Sequence, residues 1–121
     1  MTGLVRLADA ARYASDVDAA TLVLQSIRSR FPGTTAAAEA AFNYGRLVSD
    51  VRGNALAAAA WFETYLAEAA DGPFAREASG RLVEAYDRLG NAAAAQRAAR
   101  RYLERFPDGP HAALARRLTG R

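Results

Sequence analysis

The chain has 121 residues, which suits one domain and is too short for two. It has no cysteine and a single histidine, His111. That excludes disulfide scaffolds, thiol catalysis and cysteine-ligated metal centres, and leaves no histidine cluster for a metal or a catalytic triad. Hydrophobic residues make up 51% and charged residues 24%, a globular balance, but 31 residues are alanine, so the core is built mostly from small side chains. All sixteen basic residues are arginine, and the net charge is +3. An alanine- and arginine-rich, lysine-free composition is the mark of a GC-rich coding genome rather than of a binding function.

Alanine, leucine, arginine and glutamate are strong helix formers, and no stretch alternates apolar and polar residues over a strand length. The chain is predicted to be all-α, with seven helices. The first covers 3–14, and Asp16 is the N-cap candidate for the second, 17–30. Phe31-Pro32-Gly33 closes that pair, and Thr34 or Thr35 opens the third helix, 35–50. Gly53 then stops the chain and Asn54 caps the fourth helix, 55–69. Pro73 falls at the first turn of the fifth, 73–89, where a missing N–H is harmless. Gly90-Asn91 repeats the stop-and-cap signal before the sixth helix, 92–106, and Pro110 opens a short seventh, 110–119. Connections of two to five residues require neighbouring helices to pack as antiparallel hairpins.

The chain also repeats itself. Tyr102-Leu103-Glu104-Arg105-Phe106-Pro107-Asp108-Gly109-Pro110 is echoed 37 residues earlier by Tyr65 to Pro73, and more weakly by Ile27 to Gly33. Gly90-Asn91-Ala92 matches Gly53-Asn54-Ala55 and, loosely, Ser15-Asp16-Val17. A small residue recurs early in each second helix (Ala20, Ala58, Ala95), followed seven positions later by a large one (Ile27, Tyr65, Tyr102). In the first helices Leu7, Tyr44 and Leu82 precede Ala8, Gly45 and Val83. The loop Asp50-Val51-Arg52-Gly53 is one residue longer than its counterpart, which leaves the register of helix 35–50 open.

With these features the chain resembles a tetratricopeptide repeat (TPR) array: three repeats at about 1–34, 35–72 and 73–109, and a capping helix 110–119. The closing proline stands at Pro32 and Pro107, with Ala70 in its place in the second repeat. The long period and the Arg-Phe-Pro-Asp-Gly-Pro-His-Ala loop are most similar to bacterial extracytoplasmic TPR modules. These include the repeat domains of outer-membrane and cell-division lipoproteins and the repeat tails of FecR-type sensors. The resemblance implies a bacterial periplasm or envelope setting, with the cytoplasm as the alternative. Residues 1–6 lack a basic region followed by an apolar one, and no apolar run reaches the roughly 18–20 residues of a membrane span. A secreted parent whose leader was cut away would look the same.

No motif for chemistry is present: there is no glycine-rich phosphate loop with lysine, no HExxH and no G-x-S-x-G. Asp16 and Asp18 read as a helix start. Glu77 and Glu84 share a helix face roughly 10 Å apart, wide for an acid/base pair, and His111 reads as a surface or capping residue. An enzyme is not expected, nor is a cofactor or metal. Phe62, Tyr65 and Tyr102 read as core between hairpins, Trp61 falls off their column, and Phe31 and Phe106 are expected to seal the unit ends.

Charge is uneven. Residues 1–90 carry nine arginines against eleven acids, whereas residues 91–121 carry seven against two. Arg97, Arg101 and Arg105 share a helix face, which is the one feature favouring nucleic acid. A charged outer face on a terminal hairpin keeps an array soluble and accounts for the pattern more simply.

The expected function is a non-catalytic protein–protein interaction module. The resemblance implies that the first helices line a concave groove for a peptide or helix of a partner. Its candidate residues are Asp9, Arg12 and Tyr13; Glu39, Phe42, Arg46 and Asp50; and Glu77, Glu84, Asp87 and Arg88. The alternative is a structural or self-associating repeat segment of a larger bacterial envelope or signalling protein, meeting other copies through its repeat ends.

Overall fold

The computed structural model describes the backbone of residues 2–120 and the side chains of residues 16–120. Its elements are α1 (Thr2–Arg30), α2 (Thr35–Asp50), α3 (Ala55–Glu68), α4 (Ala75–Arg88), α5 (Ala92–Arg105) and α6 (Ala112–Thr119), with no strand among the described residues. Each helix packs against the next in chain order, joined by three to six residues, so the chain advances as a stack of antiparallel hairpins.

Among the described residues the helices number six rather than seven because 3–14 and 17–30 are one continuous helix, and Asp16 is interior to it. Ala14-Ser15-Asp16-Val17 contains no glycine or proline, and serine or aspartate inside a helix costs only about 0.5–0.7 kcal/mol each. Where the expected stops hold, glycine takes the left-handed conformation that other residues avoid: Gly53 has φ +62° and Gly90 φ +72°. Immediately after them Asn54 and Asn91 accept from the Ala57 and Ala94 amides at 3.0 and 3.1 Å. Thr34 caps α2 in the same way through Ala37. Each such cap stabilises its helix by about 1 kcal/mol.

Pro73 and Pro110 stand two residues ahead of their helices rather than within the first turn. The reason is a tyrosine latch. Tyr65 Oη accepts the Phe74 amide at 2.9 Å, and Tyr102 Oη accepts the His111 amide at 3.0 Å. The hydroxyls hold these amides in a turn outside the helix, so Phe74 and His111 become the capping positions without a side-chain cap.

Burial fixes the register that the sequence left open. Ala38, Ala75 and Ala112 are buried, Ala41, Ala78 and Ala115 are fully so, and each set recurs at 37 residues. Gly45, not Tyr44, therefore stands where Leu82 stands. A Cβ on Gly45 would meet the Phe62 ring at 2.8 Å and the Trp61 Cβ at 3.2 Å, so α2 and α3 touch nearly backbone to side chain there. The core then fills with Phe42, Phe62, Tyr65, Leu82, Val83 and Tyr102, each almost wholly buried. Phe42 stacks on Phe74 with centroids 4.5 Å apart. Ala58 and Ala95 are buried as their column requires, but Ala20 is exposed. Phe106 is half-buried against Tyr102, whereas Phe31 is 55% exposed and seals nothing. Both departures have one cause: the helix that would cover the first unit continues straight on instead of folding back.

Candidate partner-binding groove

The helices that come first in each pair, α2, α4 and the capping α6, meet along one side of the stack. There Ser49 and Asp50 from the end of α2, Glu77, Arg81, Glu84 and Arg88 from α4, and His111 from the start of α6 line a cleft of about 450 Å³. The α4 residues recur at spacings of three and four, which places them on one helix face. Arg81 is the centre of the network. Its guanidinium donates to Asp50 at 2.9 Å and lies 3.6 Å from Glu77, linking α2 to α4. His111 Nε2 is bonded to Glu84, and the imidazole lies over Gly80, where a Cβ would collide with the ring. The missing side chain at Gly80 is thus what lets α6 approach α4. Three carboxylates face two guanidiniums in this cleft, so it is acidic while the chain as a whole is basic.

Of the expected groove residues, the fold brings Asp50, Glu77, Glu84 and Arg88 together. Glu39 lines a different cleft at the loop edge, of about 740 Å³, with Thr34, Tyr65 and Pro73. Asp87 borders a third, smaller one beside Tyr86 and Leu118. Arg46 is exposed with its guanidinium 6.0 Å from the Phe42 ring centroid. Phe42 itself must be withdrawn from the groove. It is 0% exposed and belongs to the core, because its position on α2 faces Phe62, Tyr65 and Phe74 rather than solvent. The side chains of Asp9, Arg12 and Tyr13 lie outside the described residues. Sequence reasoning missed Arg81 and the groove role of His111. Arg81 sits four residues after Glu77 and seven before Arg88, so the spacing carried the signal; His111 reaches the cleft only through the tyrosine latch, which no local pattern announces.

A family model described as a tetratricopeptide repeat matches residues 81–109, from the middle of α4 through α5 and into the loop beyond. That match and the all-helical stack of antiparallel hairpins support a TPR-type repeat protein. No curated protein and no solved structure matches it. TPR repeats serve protein–protein interaction and are typically non-catalytic. Among the described residues of this TPR protein, no group of three or more His, Asp or Glu is arranged to hold a metal.

Elsewhere on the TPR stack, charge serves to bind repeat to repeat. Arg28 at the end of α1 makes a two-pronged bond to Glu68 on α3 at 2.8 and 3.1 Å, donates to the Ala37 carbonyl on α2 at 2.7 Å, and lies 5.4 Å from the Trp61 ring centroid. These bonds hold the Glu68 carboxyl below the ordinary glutamate range and the guanidinium above its own. Trp61, off the buried column, is half-covered by Arg28 and by Tyr44, whose ring centroid is 4.8 Å away. Two members of the arginine stripe on α5 are likewise engaged: Arg101 with Glu63 at 3.2 Å, and Arg105 with Asp71 at 3.0 Å and the Ala70 carbonyl at 2.6 Å. Burial, and the same Glu63 beside it, push the Tyr86 phenol up.

Proposed function

We propose that this TPR protein binds a basic or mixed-charge segment of a protein partner along the face shared by α2, α4 and the start of α6, and that it catalyses no reaction. The observation carrying this reading is the acidic cleft of Asp50, Glu77 and Glu84 with Arg81 and Arg88. Arg81 is already bonded to Asp50 and close to Glu77, so its charge is spent within the cleft. Capture of a C-terminal carboxylate or an acidic tail requires an excess of unengaged cationic donors, because a desolvated anion must be neutralised. This cleft has the opposite excess. With Phe42 in the core, recognition rests on charge rather than on an apolar anchor at that position.

The test is a fluorescence-anisotropy titration with one basic and one acidic peptide of equal length. The basic peptide should bind more tightly, weaken as salt shortens the screening length from about 10 Å at 0.1 M, and lose its advantage on Glu77→Lys/Glu84→Lys. Tighter binding of the acidic peptide, or an unchanged preference in the double variant, would overturn the assignment.

A further inference from the structure

The acidic cleft contains one side chain of a type that changes charge between pH 5 and 8. Carboxylic acids ordinarily titrate near pH 4 and guanidiniums above 12, which leaves His111, the only histidine of the chain. Its imidazole is held in place from several directions. The main-chain amide is bonded to Tyr102 Oη at 3.0 Å, the Tyr102 ring stands edge-on with centroids 5.8 Å apart, and the imidazole fills the space left by Gly80. Nε2 is bonded to Glu84, and because an ionised carboxylate can only accept, Nε2 donates whether the ring is neutral or charged. The proton is therefore gained at Nδ1, which faces Gly80 and has no hydrogen-bond partner among the described residues. Titration thus changes the charge of the site and leaves its contacts in place.

One charge matters here because the cleft is nearly balanced. It receives Asp50 from α2, and Glu77, Arg81, Glu84 and Arg88 from α4. Against the ring α5 places Tyr102, and Arg116 of α6 donates instead to the Pro107 carbonyl. With a neutral imidazole three carboxylates face two guanidiniums, a net of −1; with an imidazolium three negative groups face three positive ones. The added charge sits on a half-buried ring bonded to Glu84, where water and salt screen it less than at an open surface. We propose that protonation of His111 cancels the preference of the cleft for a basic segment, so that a partner held near pH 7.5 is released near pH 5.5. This rests on the reading of the cleft as the site of such a segment.

The probe is a rhodamine-labelled, N-acetylated arginine–serine peptide, which has no side chain titrating in this range. Its anisotropy is followed at about pH 7.5 and 5.5 at constant ionic strength. The Kd should rise about two- to fivefold at the lower pH, the factor of one partly screened charge. His111→Gln should abolish that rise. In the unmodified chain the lone imidazole gives a single proton NMR titration, a measurement that needs no variant. Saturating peptide should lower its midpoint by the logarithm of the same factor, because linkage is reciprocal. Three results overturn the proposal while the groove reading stands: a Kd in the unmodified chain that ignores pH, a rise that persists in folded His111→Gln, or an imidazole midpoint that the bound peptide does not lower. A peptide that binds at neither pH overturns the groove reading and this proposal with it.

Discussion

Ala58 and Ala95 show how little room the hairpins leave, at 0% and 2% exposure. A leucine there has to displace neighbours already packed at interior density. Ala58→Leu or Ala95→Leu should lower stability by about 1–3 kcal/mol in urea denaturation. Ala93→Leu, on the exposed face of α5, should change it by no more than about 0.5 kcal/mol; Ala94, its neighbour, is buried and is not such a control. Equal tolerance at Ala58 and Ala93 would contradict the register. The tyrosine latches make a second residue-scale prediction. Tyr65→Phe and Tyr102→Phe keep the ring but leave the Phe74 or His111 amide without its acceptor, which should cost about 1 kcal/mol each in the same measurement. The buried tyrosines were legible as a repeating column of large residues, but their hydroxyl partners lie nine positions away across a loop and no spacing rule points to them.

At the level of elements, the sequence revealed what local chemistry decides. The bounds of α2 and the starts of α3 and α5 follow from Thr34, Asn54, Asn91 and the glycines before the two asparagines, because a cap acts over three residues. The break between 3–14 and 17–30 rests on Asp16 alone as an N-cap candidate, and Ser15-Asp16 lacks the glycine that makes the later breaks physical. The cleft was half legible for a related reason. Helical spacing aligned Glu77, Glu84 and Arg88, but which face of α2 turned inward depended on the 37-residue register, and Phe42 was misplaced by it. The short α6 covers the end of the stack with few side chains. Ala112 and Ala115 are buried, Leu114 and Leu118 pack partly on the core, and Arg116 donates to the Pro107 carbonyl at 2.6 Å. Ala113, by contrast, is exposed. Deleting residues 110–121 should uncover Tyr102 and Leu103 and lower the melting temperature or cause aggregation. An unchanged melting curve would show that α6 does not cap the stack.

Across the whole molecule, contact passes from each helix to the next, and Arg28 adds a longer tie by reaching from α1 past α2 to Glu68 on α3. Because the bond depresses the Glu68 pKa in the folded state, its contribution is complete above the unfolded value of about 4.3 and is lost as pH falls through the lower folded value. The melting-temperature difference between the unmodified chain and Glu68→Gln should therefore be constant from pH 7 to 5 and shrink below about pH 4.3. A difference that persists to pH 3 would mean the pair does not stabilise the stack. The latches at Tyr65 and Tyr102 have a consequence of another kind. Each joins the end of one unit to the start of the next through a hydroxyl and a main-chain amide, a seam that asks nothing of the side chain on the receiving side: phenylalanine receives it at 74, histidine at 111. A seam indifferent to the residue it receives is a site where a gene can grow by tandem copying. A duplicated stretch corresponding to residues 73–109 would begin with an amide for the tyrosine before it and carry a tyrosine for the amide after it. The array could thus lengthen without any new joint having to be invented.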